Sequence, residues 1–123
     1  MPNLGNEAKN LNIYIKQGSD WMAEFSLYDQ NGNIFSLVGS SFAGKIKKTK
    51  ASTEVIASFN FEIDTETNLV VVSLTNEQTA QIPAGEKETD SDSKYVYDWE
   101  WTKPDNLIDR IQEGIVIVSS GVT

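Results

Sequence analysis

The sequence predicts an all-β fold, an antiparallel sandwich of about seven to eight short strands with one short helical turn. Three features support this fold class. Apolar and polar side chains alternate with a period of two along most of the chain. Turn signals rich in glycine, asparagine and proline separate the alternating segments at regular intervals, as in antiparallel sandwiches. A single segment carries the capping residues of a helix.

Chain length and composition favour one core. The chain has 123 residues, of which 39% are hydrophobic and 10% aromatic, enough large side chains to exclude water from one domain. Residues 1–11 are polar and show no period, so we expect a flexible N-terminal arm at 1–11 and the sandwich at 12–123. No apolar run is long enough to span a membrane and the start lacks the features of a signal peptide, so we expect synthesis in the cytosol.

The residue types that are missing limit the chemistry. The chain has no Cys and no His. Disulfides and thiolate metal sites are therefore excluded, and the usual general base and the commonest transition-metal ligand are absent. We expect a protein that is not an enzyme and that has no cofactor and no metal site. A formal net charge of -8 repels phosphate groups, so neither nucleic acid nor an anionic membrane is an expected partner.

Three or four strands are predicted in the first half of the chain. Apolar residues alternate at 13–16 and again at 21–28, which predicts two strands or one strand with a bend. An Asn-Gly pair within 29–33 predicts a tight turn. A further strand is predicted at 42–47. The clearest alternation lies at 55–63, where five apolar side chains, including that of Val55, fall on one face.

The second half predicts the helical turn and the remaining strands. Residues 69–74 are almost continuously apolar, which predicts a central strand covered on both faces. The Thr-x-x-Gln spacing from Thr75 predicts a capping box and one helical turn. Aromatic residues alternate at 95–101, and an apolar strand follows at 107–118. Within that last strand, the Glu113-Gly114 pair predicts a bulge or kink.

The stretch 86–94 alternates acidic residues with Lys, Ser and Thr and contains no apolar residue. Its carboxylates could ligate Ca²⁺, which prefers several oxygen ligands from a flexible segment. The glycine and the distal glutamate of the EF-hand loop are missing, however, so a solvated loop is the predicted structure. Three of its residues are candidate partner contacts: Glu88, Asp90 and Asp92.

One basic cluster stands out in this acidic chain. It consists of Lys45, Lys47, Lys48 and Lys50. One interpretation is an exposed strand end, where lysines protect a sheet edge from pairing with other chains. The other is an electrostatic contact with an acidic neighbouring subunit. We therefore treat all four lysines as candidate partner contacts.

The aromatic row of the 95–101 strand has two possible roles. Trp and Tyr faces stack well on sugars, which supports an alternative function as a carbohydrate-binding module for host-surface recognition. A domain of this size also needs Trp in its core, and we expect Trp21 and Trp99 there. Trp101 and Tyr28 are taken as candidate partner contacts.

The opposite face of the same strand carries two carboxylates, Asp98 and Glu100. Paired carboxylates perform glycoside hydrolysis when they flank a bound sugar. Outward polar alternation of a half-buried strand explains the same spacing, and we expect that simpler role.

The order of turns and strands resembles that of small immunoglobulin-like phage virion proteins, including the amino-terminal domain of upper baseplate proteins. The resemblance covers about residues 12–123 and consists mainly of turns and alternation. An acidic insertion at 86–93 departs from the pattern. The segments that carry the resemblance are 15–20, Tyr28-Asp29, Asn31-Gly32-Asn33, Ser36-Leu37-Val38-Gly39, Leu74-Thr75, Ile82-Pro83-Ala84-Gly85, Tyr95-Val96-Tyr97-Asp98, 110–118 and Val122-Thr123.

This resemblance implies an immunoglobulin-like sandwich and a structural role in a phage particle. The implied function is that of a structural subunit or adaptor of a tailed phage virion, in its tail, baseplate or neck. The implied partners are other virion proteins, with several copies of the chain around the particle axis. The implied location is the virion, after synthesis in the cytoplasm of the host bacterium. The family carries no catalytic residues that could be transferred to this chain.

Overall fold

A computed structural model describes residues 8–84 and 92–120, except for the side chains of residues 92 and 93. These residues form two packed sheets and one short helix, which confirms the all-β sandwich. The helix α1 spans Asn76–Ala80 and begins with the predicted capping box. The strands are β1 (Lys9–Asn10), β2 (Ile13–Lys16), β3 (Trp21–Phe25), β4 (Ser41–Lys47), β5 (Ala57–Ser58), β6 (Asn60–Asp64), β7 (Leu69–Leu74), β8 (Asp92–Thr102) and β9 (Ile108–Ser119).

The strand order is that of an immunoglobulin-like sandwich. The larger sheet has the order β1-β9-β8-β4-β5, with β2 also paired to β9, and the smaller sheet has the order β3-β7-β6. Among the described strands, β1 and β2 run parallel to their neighbour β9, and the other pairs are antiparallel. The strands β4, β8 and β9 correspond to C, F and G of that fold, and β3, β7 and β6 to B, E and D.

The segment 55–63 is two strands rather than the predicted one. The chain leaves the larger sheet after β5 and enters the smaller sheet at β6. Phe59 lies at the crossing with 6% of its surface exposed, and its N–H donates to the carbonyl of Gly44 at 2.9 Å. Val55, expected on the core face, is 38% exposed because it precedes the paired part of the segment.

The strand β7 is central, as predicted, but only one of its faces is fully buried. Val70, Val72 and Leu74 are buried in the core, whereas Val71 on the outer face is half-buried. Its cross-strand neighbours on that outer face are two glutamates, Glu24 and Glu62. The prediction of two covered faces is therefore wrong, because an apolar run does not reveal whether a second layer lies over the outer face.

The bulge in β9 lies a few residues before the predicted position. Trp99 pairs with Gln112 and Glu100 pairs with Arg110, so Ile111 is the extra residue. Gly114 has another role, because the carbonyl of Leu11 approaches it too closely for any side chain. The predicted bulge at Glu113-Gly114 is corrected accordingly.

The sheet begins earlier in the chain than the predicted boundary at residue 12. Lys9 pairs with Gln112 and Asn10 with Glu113, and the N–H of Leu11 donates to the carbonyl of Glu113 at 2.9 Å. Residues 9–11 therefore belong to the sandwich. Residues 1–7 of the predicted arm lie outside the described part of the chain.

The core is built around the aromatic side chains of β8. The ring of Trp99 stacks on Phe25 at 5.6 Å between centroids and meets Phe59 edge-on at 5.6 Å. A second buried cluster forms around Leu37, Val70 and Trp101 towards one end of the sandwich. Offset and edge-on aromatic pairs add to the hydrophobic stabilisation of burial. In the described residues, no helix is long and apolar enough to cross a membrane.

Candidate interaction surfaces

The aromatic row of β8 faces the core. Tyr95, Tyr97, Trp99 and Trp101 are 3%, 4%, 3% and 7% exposed. Trp101, a candidate partner contact, is thus largely buried, and its indole N–H donates inside the fold to Ser40 Oγ at 2.9 Å. Trp21, expected inside, is half-buried at the rim of the core. The row therefore forms no exposed platform on which a sugar could stack, although Trp101 also lines a groove at one end of the sandwich.

The outer face of the larger sheet brings together two groups that lie far apart in sequence. Lys45 on β4 lies directly opposite Asp98 on β8, and Glu100 is the next outward residue of β8. Together with Lys47 and Lys50 they line a groove of about 300 Å³. The strand register explains the spacing of the two carboxylates, because every second residue of β8 faces outward.

The charges of this groove are divided between its walls. Arg110 Nε lies 3.4 Å from Asp98 Oδ2, and Arg110 Nη1 lies 3.4 Å from Glu113 Oε1. These side chains are substantially exposed, so each pair contributes little to stability, on the order of 1 kcal/mol or less. Within the described residues, Lys45 and Lys47 on the opposite wall form no ion pair. The groove therefore offers free cationic groups to an acidic partner.

Lys48 is directed elsewhere. Its ammonium lies 5.7 Å from the centroid of the Tyr95 ring, a cation–π contact within the protein. Only Lys45, Lys47 and Lys50 of the predicted basic cluster line the groove.

A different surface collects large apolar side chains at one end of the sandwich, which we call the apolar end. Tyr28, Val38, Leu107 and Ile108 are 60%, 63%, 61% and 59% exposed. The members of the apolar end are Tyr28, Ile34, Phe35, Val38, Leu107 and Ile108. They come from the connection between β3 and β4, from the turn between β8 and β9 and, for Ile108, from the first residue of β9.

The connection between β3 and β4 is held by short-range hydrogen bonds. Asp29 Oδ1 accepts from the N–H groups of Asn31 at 2.8 Å and Asn33 at 2.9 Å. This confirms the turn predicted at 29–33, and it brings Tyr28 opposite Ile34. The apolar end therefore begins with a preformed turn.

Asn68, in the turn between β6 and β7, fixes the rest of this connection. Its Oδ1 accepts from the N–H of Leu37 at 3.0 Å, and its carbonyl accepts from Ser26 Oγ at 3.0 Å. Asn68 has a φ of 57°, a left-handed conformation that asparagine tolerates better than most residues. Leu37 is 1% exposed and anchors the segment in the core.

A groove of about 350 Å³ lies within the apolar end. The Phe35 ring meets the Trp101 ring edge-on at 5.3 Å, and Pro104 closes the groove on the other side. Lys103 Nζ lies 5.2 Å from the centroid of the Trp101 ring and 2.7 Å from Asp109 Oδ2. The groove is apolar inside with a charged rim, as in protein interfaces.

Sequence reasoning identified Tyr28 in this surface and missed its other members. The available signal was a large apolar residue inside a turn-rich segment, as at Val38. Such a residue is either buried in the core, as Leu37 is, or exposed to solvent, as Val38 is. The tertiary packing decides which of the two occurs.

The remaining candidate contacts lie in the acidic stretch 86–94. Glu88 and Asp90 are outside the described residues, and the side chain of Asp92, the first residue of β8, is not described. In the ranges 8–84 and 92–120, no group of three or more acidic residues is arranged to hold a metal ion.

Comparison with protein-family models gives no match to this chain, and no curated protein matches it in sequence.

Proposed function

We propose that this chain is a non-enzymatic structural subunit or adaptor of a tailed phage virion that assembles through contacts with other virion proteins. The apolar end is the observation that carries this proposal. Its six large side chains are each between 38% and 63% exposed and lie on the β3–β4 connection, the β8–β9 turn and the first residue of β9. Leaving such a cluster in water is unfavourable, and covering it with a partner recovers about 25 cal/mol for each Å² of apolar surface buried.

The apolar end suits a protein partner because its backbone is already ordered. The Asp29 turn and the Asn68 hydrogen bonds fix the connection before any partner binds. A partner therefore spends little of its interaction energy on ordering this surface. The groove between Phe35 and Pro104 offers a pocket for an apolar anchor residue, with Lys103 at its rim.

The assignment to a phage particle is supported by the resemblance to immunoglobulin-like virion proteins. Three of the segments that carry this resemblance lie in the β3–β4 connection: Tyr28-Asp29, Asn31-Gly32-Asn33 and Ser36-Leu37-Val38-Gly39. Two members of the apolar end, Tyr28 and Val38, belong to these segments. The position within the particle that fits this proposal is the tail, baseplate or neck, with several copies around the particle axis.

The direct experiment is mass spectrometry of purified particles of a phage that encodes this chain. We expect the chain in the particles at a stoichiometry of several copies. Its absence from intact particles would overturn the proposal.

A second experiment tests the surface. Val38→Asp and Leu107→Asp each place a charge in the apolar end without entering the core, and we expect each to reduce incorporation into particles at least about tenfold, a change of about 1.4 kcal/mol. Tyr14→Asp is the matched control, because Tyr14 is 67% exposed on the outer face of the larger sheet. Incorporation of both apolar-end variants at the control level would contradict this use of the surface.

A further inference from the structure

The smaller sheet has an unpaired edge at β3. Its order is β3-β7-β6, so β3 pairs on one side only. All five of its residues pair with β7, from Trp21 with Leu74 to Phe25 with Val70. In the described parts of the chain, residues 21–25 form no other backbone hydrogen bond. One row of backbone groups of β3 is therefore free to bind another strand.

The other sheet edges carry features that discourage such pairing. The outer side chains of β6 include Glu62 and Asp64, which repel a second copy of the same edge. At the edges of the larger sheet, β1 and β5 have two residues each and β2 has four. In contrast, β3 has five residues with neither Pro nor Lys, and its Met22 is 68% exposed. It is the least protected edge among the described strands.

We propose that β3 pairs antiparallel with β3 of a second copy of the chain around a two-fold axis at Ala23. The two smaller sheets then form one continuous six-stranded sheet. In this register Met22 of one copy lies opposite Glu24 of the other on the outer face. Trp21 lies opposite Phe25 of the second copy on the core face, which joins the aromatic rims of the two cores.

Charge selects this register over its neighbours. A shift of two residues in one direction places Glu24 opposite Glu24 of the second copy, and a shift in the other direction places it opposite Asp20. Both alternatives set like charges directly across the strands, which is destabilising. A shift of one residue would turn the core-facing side chains of one copy to the outer face of the other. Of the registers compared, the one centred on Ala23 alone keeps both faces matched without opposing carboxylates.

The net charge of the chain predicts how this dimer responds to salt. Each copy has a formal net charge of -8, so two copies repel each other at low ionic strength. The contact itself contains no ion pair that salt would weaken. Screening therefore strengthens association. We expect the dimer fraction to rise between about 20 mM and about 500 mM NaCl, because the Debye length falls from roughly 20 Å to roughly 4 Å over that range.

Sedimentation velocity of the purified chain over a range of concentrations tests the proposal. We expect a reversible monomer–dimer equilibrium at high salt. Met22→Glu places a new carboxylate opposite Glu24 of the second copy at two symmetric positions, and we expect it to weaken dimerisation about tenfold. The double variant Met22→Glu with Glu24→Lys pairs opposite charges at the same two positions, and we expect it to restore dimerisation.

Tyr14→Glu is the matched control. It introduces the same charge at a position 67% exposed on the other sheet, and we expect it to dimerise as the wild type does. A wild-type chain that stays monomeric at every concentration and salt level would overturn the proposal. So would a double variant that remains as weak as Met22→Glu alone. Neither outcome bears on the virion proposal, which depends on the apolar end and is tested in particles.

Discussion

Leu11, between β1 and β2, connects these first strands to β8 and β9. Its N–H donates to the carbonyl of Glu113 at 2.9 Å, and its own carbonyl accepts from the Tyr97 hydroxyl at 2.6 Å. The same carbonyl lies against Gly114, where no side chain fits. Three residues from β8 and β9 therefore hold one residue between β1 and β2. Substitutions here should act on the attachment of the N-terminal strands.

The first prediction concerns Gly114. A methyl group at this position would overlap the backbone carbonyl of Leu11, and backbone does not yield as a flexible side chain does. We expect Gly114→Ala to lower the free energy of unfolding by about 3 kcal/mol, as overpacking does when the obstacle is rigid. Urea denaturation measures the change.

Gly32→Ala is the matched control for this prediction. Gly32 has a φ of 83° and no atom within 4 Å of the added carbon, so only the left-handed conformation opposes the substitution. Its expected cost is about 1 kcal/mol. Equal costs for the two variants would show that the Leu11 approach has no special effect.

The second prediction concerns the alkaline limit of stability. Burial raises the pKa of Tyr97 above its ordinary value of 10.0, the Gln112 hydrogen bond opposes this, and nearby Glu113 adds to it. The folded state therefore keeps a proton that the unfolded state releases above pH 10. Stability from this group is complete below pH 10 and is lost as pH rises towards the folded pKa. The unfolding free energy should therefore fall between about pH 9 and about pH 11, on either side of the ordinary tyrosine pKa of roughly 10. We expect this fall to be smaller in Tyr97→Phe.

The same variant has a second expected effect at neutral pH. Without the hydroxyl, the carbonyl of Leu11 loses its partner, and we expect a cost of about 1–2 kcal/mol at pH 7. Tyr14→Phe removes the same atom from a side chain that is 67% exposed, and we expect it to follow the wild type. An alkaline slope in Tyr97→Phe as steep as that of the wild type would contradict the assignment.

At the scale of elements, α1 connects parts of the sandwich that the sheets leave unconnected. Thr79 is 0% exposed, and its Oγ1 accepts from the N–H of Gly18 at 3.0 Å and donates to the carbonyl of Ser19 at 2.8 Å. Gln78 closes the capping box and also donates from Nε2 to the carbonyl of Ser58 at 2.9 Å. One helical turn therefore fixes both the β2–β3 turn and the end of β5.

The third prediction tests this connection. Thr79→Val keeps the shape of the side chain but removes the partner of the Gly18 N–H and of the Ser19 carbonyl. We expect the free energy of unfolding to fall by about 1–3 kcal/mol, because those two backbone groups stay in a partly buried site. Thr65→Val, at an exposed position of the β6–β7 turn, is the control in the same denaturation experiment. A cost no larger than that of the control would mean that solvent replaces both bonds.

At the scale of the whole molecule, the charged groove and the apolar end occupy different surfaces. The groove charges lie on the outer face of the larger sheet, and six of the exposed apolar residues lie at the apolar end. The ion pairs among described residues number three, and each involves at least one side chain that is 30% or more exposed. The molecule therefore gains little from attraction between charges, while its net charge of -8 adds repulsion.

The fourth prediction follows from that balance. Raising NaCl from low to moderate concentration screens the repulsion and removes little attraction. We expect the free energy of unfolding to rise by about 1 kcal/mol in dilute protein, where self-association does not contribute. Urea denaturation at both salt levels measures this, and KCl in place of NaCl is the control for ion-specific effects. A fall in stability with added salt would show that attractive pairs dominate.

The sequence by itself determined the fold class, most strand positions, the helix start and the main turns. These features depend on neighbouring residues: alternation at Tyr95 to Trp101, the Thr75 capping spacing and the Asn31-Gly32 turn are all local. The resemblance to virion proteins also follows from this local order, and it stays a proposal for function. None of these signals states which strands become neighbours.

The tertiary structure alone decided which sheet each segment joins, where the bulge falls and which side chains reach the surface. The period of two continues through Phe59, so the crossing between sheets leaves no mark in the sequence. Lys45 meets Asp98 only because β4 and β8 pair in one register. Trp101 is buried and Val38 is exposed because packing, and not residue type, sets their surroundings. Pairing and packing join residues far apart in the chain, and a local pattern carries no information about its distant neighbours.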